Sequence, residues 1–320
     1  MIKTFCSILL AATVVPLFAQ NLPEIKDGFK DGDDVSLVIL GTVQDAGSPH
    51  IACQKECCIE LFDNPDPERK VVSLGLIDAQ NRKTFLFEAT PDIAEQLKIL
   101  KNTAFRDAPE IPNAIFPTHA HIGHYTGLMY LGKEATNARN VAVYSMPKMK
   151  VFLEENGPWS QLVSNKNVEL MPISDGQKLV LAPNITIVPF TVPHRDEYSE
   201  TVGYRIIGPH KSVLFIPDID KWGKWETNII DEIAKVDYAF LDAAFYDAEE
   251  IDNRDISEIP HPFVIESMAL FKDLPSSEKQ KIHFIHLNHT NPLLKQESPQ
   301  SQKVLEKGFN IARFRQKFKL

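Results

Sequence analysis

The stretch THAHIGHYTGL, residues 118–128, carries three closely spaced histidines, His119, His121 and His124. It follows the apolar run AIFP, which is typical of a buried strand, so the histidines begin where that strand ends. Histidine is the commonest metal ligand, and the pattern His-x-His-x-Asp-His would explain all three. Gly123 stands where that pattern has its aspartate. The stretch is therefore a metal site that lost a ligand, a differently built site, or a coincidence of spacing.

Three more residues of ligand type each end an apolar run. His194 ends ITIVPFTVPH, Asp218 ends SVLFIPD, and His286 ends KIHFIH. Ligands at the ends of several strands converge at one edge of a sheet, where binding sites of layered folds commonly lie. Taken singly, His194 is a loop histidine and Asp218 a turn residue. Taken together with the histidine-rich stretch, they favour a metal site.

The order of these residues resembles that of the metallo-β-lactamase superfamily, and the resemblance covers nearly the whole chain. The stretches FEATPDIAEQL, FLDAAFYDAEEI and IHLNHTNPLL resemble one branch of it, the pyrroloquinoline quinone biosynthesis protein B family. The cyclic phosphodiesterase of the phosphonate pathway is a related member. The resemblance implies an α/β (α+β) chain folded as a four-layer αββα sandwich. The many short strands separated by turns also favour two sheets with helices outside.

The resemblance also implies an active site with one or two Zn²⁺ ions. Iron is compatible with the same histidine and carboxylate ligands. The implied ligands of the first metal are His119, His121 and His194, and the implied bridging carboxylate is Asp218. The implied ligands of the second metal are His124 and His286. Because Gly123 removes a carboxylate, we expect the second metal to bind more weakly, to be absent or to be another element. We also expect open space beside this metal, and we expect the substitution Gly123→Asp to raise the affinity of the second site for metal.

The stretch CQKECC contains Cys53, Cys57 and Cys58. In the phosphodiesterase relative, three cysteines bind a structural zinc together with a histidine that follows the last active-site ligand. The resemblance thus implies a Cys₃His zinc site that His289 completes. The spacing C-x3-C-C departs from the family's C-x-C-x2-C, and His50 is a further candidate ligand. The alternative is a disulfide with one free thiol, as export would favour.

Residues 1–19 are typical of a secretory signal peptide, with one lysine, an apolar run and small residues before a cut after Ala19. No Pro/Gly/Ser-rich linker divides residues 20–320, which we expect to form a single metallo-β-lactamase-like domain. The expected location is the periplasm or the medium, without stable membrane insertion after cleavage. The formal net charge of −9 argues against a nucleic-acid partner and leaves a small-molecule substrate. The oligomeric state stays open.

The ligand pattern favours a hydrolase in which a metal-activated water attacks an ester or phosphodiester-type substrate. Asp218 would be catalytic as the bridging carboxylate. Relatives carry a histidine near the position of His261 that donates a proton to a leaving oxygen; a surface loop histidine is the alternative. Asp242 would orient a ligand rather than bind metal. The alternative functions are an iron-dependent oxygenase of the quinone-biosynthesis type and a non-catalytic metal-binding protein.

Overall fold

The structure is a computed structural model that describes residues 35–251 and 255–320. Within these ranges the strands are β1 Val35–Gly41, β2 Ser73–Asp78, β3 Lys83–Phe87, β4 Ala114–Phe116, β5 Val141–Ser145, β6 Val168–Pro172, β7 Leu179–Ala182, β8 Ile185–Thr191, β9 Val202–Ile207, β10 Ser212–Ile216, β11 Tyr238–Asp242, β12 Ile282–Ile285, β13 Asn310–Ile311 and β14 Lys317–Lys319.

The α-helices of the same ranges are α1 Glu56–Asp63, α2 Ile93–Thr103, α3 Ile122–Tyr125, α4 Pro147–Glu155, α5 Trp159–Ser164, α6 Ile229–Ala234, α7 Val264–Leu270, α8 Ser276–Lys279 and α9 Pro299–Glu306. Short 3₁₀ segments lie at Thr126–Leu131, Trp222–Lys224, Ala248–Ile251, Ile256–Glu258 and Pro292–Leu294.

The strands form two mixed sheets. The first has the order β14-β1-β2-β3-β4-β5-β6, and the second has the order β13-β12-β11-β10-β9-β8-β7. In both sheets one half is antiparallel and the other half, β3 to β6 or β10 to β13, is parallel. Parallel neighbours present their carboxyl ends at the same edge, which gathers the residues that follow β4, β10, β11 and β12.

The two sheets pack face to face through an apolar core. Alternation along β1 directs Leu37 and Ile39 into this core, while Val38 and Leu40 point to the opposite face. At the centre, the Tyr204 hydroxyl of the second sheet donates a 2.6 Å hydrogen bond to the carbonyl of Pro117. That bond joins the sheets directly beside the histidine-rich stretch.

Helices cover the outer faces. Ile93 of α2 and Met149 of α4 pack on the first sheet, whereas Ile233 of α6 and Val264 of α7 pack on the second. The layers are therefore helix, sheet, sheet, helix, and the predicted αββα sandwich is confirmed.

The predicted signal peptide, residues 1–19, lies outside the described residues, as do residues 20–34 at the start of the predicted domain. Among the helices of residues 35–251 and 255–320, none has the length and apolar character needed to cross a membrane.

Candidate metal centre

The structure brings the six predicted active-site ligands together at one edge of the sandwich. His119 and His121 follow β4, His124 lies in α3, and His194 follows β8. Asp218 and His286 follow β10 and β12, which are parallel to the intervening strand β11. Each ligand thus owes its position to a buried strand, or to the loop and short helix that directly continue it.

His119, His121, His194 and Asp218 form a first group of ligand atoms. The Nδ1 atom of His121 lies 2.9 Å from Nε2 of His119 and 3.3 Å from Nε2 of His194. Oδ2 of Asp218 lies 3.2 Å from Nε2 of His194 and 3.4 Å from Nε2 of His119. Tetrahedral ligands at zinc distances of about 2.0–2.1 Å lie roughly 3.3 Å from one another. These separations therefore fit a single small metal ion.

His124 and His286 are fully buried on the other side of Asp218. Nδ1 of His124 lies 3.1 Å from a carboxylate oxygen of Glu88, and Nδ1 of His286 lies 3.3 Å from one of Asp242. The Nε2 atoms of both histidines are buried without a hydrogen-bond partner. Buried polar atoms normally have partners, and metal-binding histidines commonly donate their other nitrogen to a carboxylate. The two Nε2 atoms are therefore suited to ligate a metal.

Asp218 lies between the two groups. Its Oδ2, which contacts the first group, is also 3.8 Å from Nε2 of His124, as a bridging carboxylate requires. Burial opposes the charge on Asp218, but the surrounding histidines His261, His194 and His286 hold its pKa well below the usual value. The surrounding histidines thus favour the ionised form of Asp218.

His261 lies in the centre and not on a surface loop. Its Nδ1 is 2.9 Å from Oδ2 of Asp242 and 3.3 Å from Oδ1 of Asp218, and its side chain is only 12% exposed. Burial opposes protonation, yet the two carboxylates raise the pKa of His261 well above its ordinary value. The surface alternative is thus wrong, while the role of His261 as a proton donor stays a prediction.

Two residues of the centre have backbone conformations that residues other than glycine seldom adopt. The φ of His286 is 64°, and that of Glu88 is 73°. Such conformations cost about 1–3 kcal/mol and persist only where surrounding contacts hold them. The amide of Leu287 donates to the carbonyl of Thr42, and the amide of Ala89 donates to the carbonyl of His124. These bonds hold the strained residues on either side.

Sequence reasoning missed two carboxylates of the centre, Glu88 and Asp45, and did not place Glu197 beside a ligand. Glu88 accepts hydrogen bonds from the amide and hydroxyl of Thr118, besides its contact with His124. Glu197 lies 3.2 Å from Nε2 of His121, and Asp45 has a carboxylate oxygen within 4.8 Å of a ring nitrogen of His124 and of His286. Glu88 directly follows β3 and Asp45 lies four residues after β1, but a carboxylate after a strand has no distinctive spacing, so only the contacts of these residues identify them.

The expectation of open space beside Gly123 is wrong. A Cβ on Gly123 would lie 2.0 Å from the Cβ of Asp45 and 2.3 Å from its Cα. Real Cβ contacts are never so short, because the atoms would overlap deeply. Asp45 therefore fills the space, and Gly123→Asp alone has no room for the added carboxylate.

The structure also brings Cys53, Cys57, Cys58 and His289 together, with all ligand atoms within 4.8 Å of one another. The Sγ atoms of Cys57 and Cys58 are 3.7 Å apart, and all three cysteines are free. A disulfide would require about 2.05 Å, whereas zinc–sulfur bonds of about 2.3 Å separate tetrahedral sulfurs by roughly 3.8 Å. The geometry thus fits a metal site and not the disulfide alternative.

Electrostatics of the cysteine group point the same way. Burial and the neighbouring thiols raise the pKa of Cys57 to about 12, because adjacent thiolates repel without a cation. Burial lowers the pKa of His289 to about 4, aided by the charges of His50 and Lys55. Metal ions bind neutral imidazole and thiolate, so a cation would resolve this repulsion. The ring of His50 lies 4.5 Å from that of His289, but His50 is not one of the four converging residues.

Comparisons with known proteins agree with this fold. A family described as beta-lactamase superfamily domain matches residues 83–284. The chain is similar to coenzyme PQQ synthesis protein B of Methylococcus capsulatus, with 24% identity over 303 residues that cover 86% of this chain and 96% of that protein.

Among solved structures, Zn²⁺-bound PqqB from Methylobacterium extorquens is similar with a TM-score of 0.73 and 21% identity, covering 89% of this chain and all of the other. A diphosphatase from the PhnP family is similar with a TM-score of 0.61 and 21% identity, covering 89% of this chain and 96% of that one. The family match spans most of the chain, from β3 into β12, and so includes both halves of the sandwich. This chain belongs to the beta-lactamase superfamily.

Proposed function

We propose that the protein is a metal-dependent hydrolase that acts on a small ester or phosphodiester-type substrate. One observation carries the proposal: two groups of buried ligand atoms converge on a shared carboxylate, Asp218, and the Nε2 atoms of His124 and His286 lack any other partner. Similarity to a zinc-bound protein and to a diphosphatase supports this function. The substrate is proposed by class only.

Divalent ions at such a centre polarise an ester or phosphoryl oxygen and lower the pKa of water at the site. The protein's own residues supply the remaining functions. Asp218 directs one oxygen toward both groups of histidines and the other toward His261. Since the two carboxylates occupy Nδ1 of His261, the Nε2 atom remains to give a proton to the leaving oxygen. Asp242 orients the ring and favours its doubly protonated form, in which Nε2 carries the proton that is donated.

Metal analysis and turnover test the proposal together. We expect the purified protein to contain zinc and to hydrolyse bis(p-nitrophenyl) phosphate or a p-nitrophenyl ester. Asp218→Asn should lower kcat/KM by at least about 100-fold, because it removes the shared carboxylate. His210→Gln, a change at an exposed histidine of the turn between β9 and β10 that is not among the ligands, is the control and should leave kcat/KM unchanged.

Two results would refute hydrolysis. One is a fully metal-loaded protein that turns over none of the tested esters and phosphodiesters. The other is Asp218→Asn with unaltered activity. Iron in the purified protein with oxygen consumption would instead support the oxygenase alternative.

We further propose that the protein is exported, on the basis of residues 1–19 alone. Expression of the full chain in a bacterial host should release a mature protein that begins at Gln20 into the periplasm or medium. Intact mass and N-terminal sequencing measure this directly. An uncleaved chain confined to the cytosol would contradict export.

A further inference from the structure

We propose that Asp45 supplies the carboxylate that position 123 lacks, and that it completes a second metal site with His124, His286 and the shared Asp218. The inference rests on the metal centre of the proposed function and goes beyond the ligands that the superfamily pattern implies. In this chain Gly123 is then not a lost ligand. It is the residue that admits a ligand from another part of the chain.

Space at Gly123 provides the first argument. Any Cβ at this position would overlap both the Cβ and the Cα of Asp45, and would lie 2.6 Å from its carbonyl oxygen. Two of these three atoms belong to the backbone, so rotating a side chain cannot relieve the overlap. With the backbone of residue 45 in this place, position 123 has no room for a side chain, and Asp45 is the residue that can present a carboxylate here.

Backbone pairing provides the second argument, because it ties Asp45 to the segment that presents His286. The amide of Leu287 donates to the carbonyl of Thr42, and the amide of Gln44 donates back to the carbonyl of Leu287. The residues on either side of this pairing are His286 and Asp45. The ligand at the end of β12 and the carboxylate after β1 are thus held in register by two hydrogen bonds of 2.8 and 2.9 Å.

Unpartnered ligand atoms provide the third argument. His124 and His286 are fully buried, and their Nε2 atoms have no hydrogen-bond partner, although each Nδ1 contacts a carboxylate. A carboxylate oxygen of Asp45 lies within 4.8 Å of a ring nitrogen of both residues. The side-chain amide of Gln44 donates to Oδ1 of Asp45, which helps to hold this carboxylate in place. Two imidazoles and a carboxylate form a ligand set that suits zinc or iron.

The experiment measures metal affinity and not activity. Metal-free protein is titrated with Zn²⁺ against a chromophoric chelator, and the bound zinc per chain is checked by elemental analysis. We expect Asp45→Asn to weaken one active-site equivalent by at least about tenfold and to leave the other equivalents unchanged, because only one site loses a ligand. Asp63→Asn, the same change on the exposed end of α1, is the matched control.

Three further variants test whether position 123 can carry the carboxylate instead. Gly123→Asp alone should lower the melting temperature without tightening zinc binding, since the added side chain overlaps Asp45. Asp45→Gly alone should lose the same equivalent as Asp45→Asn. The double variant Asp45→Gly/Gly123→Asp should not regain that affinity, because the Cα and carbonyl oxygen of residue 45 still occupy the space that a Cβ at position 123 needs.

Three results would overturn the inference. They are unchanged zinc affinities in Asp45→Asn, tighter binding in Gly123→Asp at full thermal stability, and a folded double variant that binds zinc as tightly as the unaltered protein. A protein that loses one equivalent in Asp45→Asn but hydrolyses no substrate would refute the proposed function and leave this inference standing.

Discussion

Oδ2 of Asp242 lies 2.9 Å from Nδ1 of His261, and the other oxygen of the same carboxylate lies 3.3 Å from Nδ1 of His286. Asp242 is fully buried at the end of β11, between the strands that present Asp218 and His286. Burial opposes its ionisation, but the adjacent His261 and His286 keep its pKa below the usual value. A single carboxylate thus orients two imidazoles of the centre.

Asp242→Asn should therefore weaken zinc binding by about 10–100-fold, because His286 loses the anion that orients its ring. Competition with a chelator measures this loss. Asp273→Asn changes an exposed carboxylate and should bind zinc as the unaltered protein does. Equal zinc affinity in Asp242→Asn and the unaltered protein would show that Asp242 has no orienting role.

Glu88→Gln should lower the free energy of unfolding of the metal-free protein by on the order of 3 kcal/mol. Burial disfavours a charged imidazole, but Glu88, Asp45 and Asp218 raise the pKa of His124 to about 9, so the substitution removes a partner from a buried ion pair. Urea unfolding at pH 7 measures the change. Glu169→Gln, at an exposed position of β6, is the control. If Glu88→Gln and Glu169→Gln lower the free energy of unfolding by similar small amounts, the prediction is wrong.

Cys53→Ser should remove one zinc equivalent and lower the melting temperature, because a structural metal contributes to folding free energy. His289→Gln should act in the same direction. His50→Gln should keep the zinc, since His50 lies beside the group without joining it. Elemental analysis measures the zinc content of each variant, and thermal unfolding measures its melting temperature. An unaltered melting temperature in Cys53→Ser would exclude a structural role for the site.

Glu250→Gln should make stability less dependent on pH. Burial raises the pKa of Glu250 to about 7. The hydrogen bonds from Thr290 and Tyr246 lower this pKa, and the charge of Asp247 raises it further. Because the folded-state pKa exceeds the unfolded value, the contribution of Glu250 is fully present below about pH 4.5 and is lost as pH rises through 7.

The unaltered protein should consequently lose on the order of 2 kcal/mol relative to Glu250→Gln between pH 5 and pH 8. Urea unfolding of both proteins at the two pH values measures the difference. The contributions of the other titratable groups are shared by the two proteins and cancel in the comparison. Parallel pH profiles for the two proteins would rule out the raised pKa.

Much of the centre is predictable because its ligands obey a local rule. His194, Asp218 and His286 lie three, two and one residues after a buried strand, and strand ends of layered folds meet at one edge. Glu88 follows the same rule after β3, but a glutamate after a strand is common and carries no distinctive spacing. Only its contacts with Thr118 and His124 reveal its role.

The sequence by itself indicated two sheets with helices outside and ligands at strand ends, since periodicity and spacing along the chain encode these features, and its family resemblance implied the four-layer sandwich and the Cys₃His site. It could not decide the meaning of Gly123, because what occupies the space beside that residue depends on a loop remote in sequence. The tertiary structure brings the end of β1 against β12 and places Asp45 where a side chain at position 123 would stand. Close packing admits one carboxylate there, and the fold decides which residue carries it.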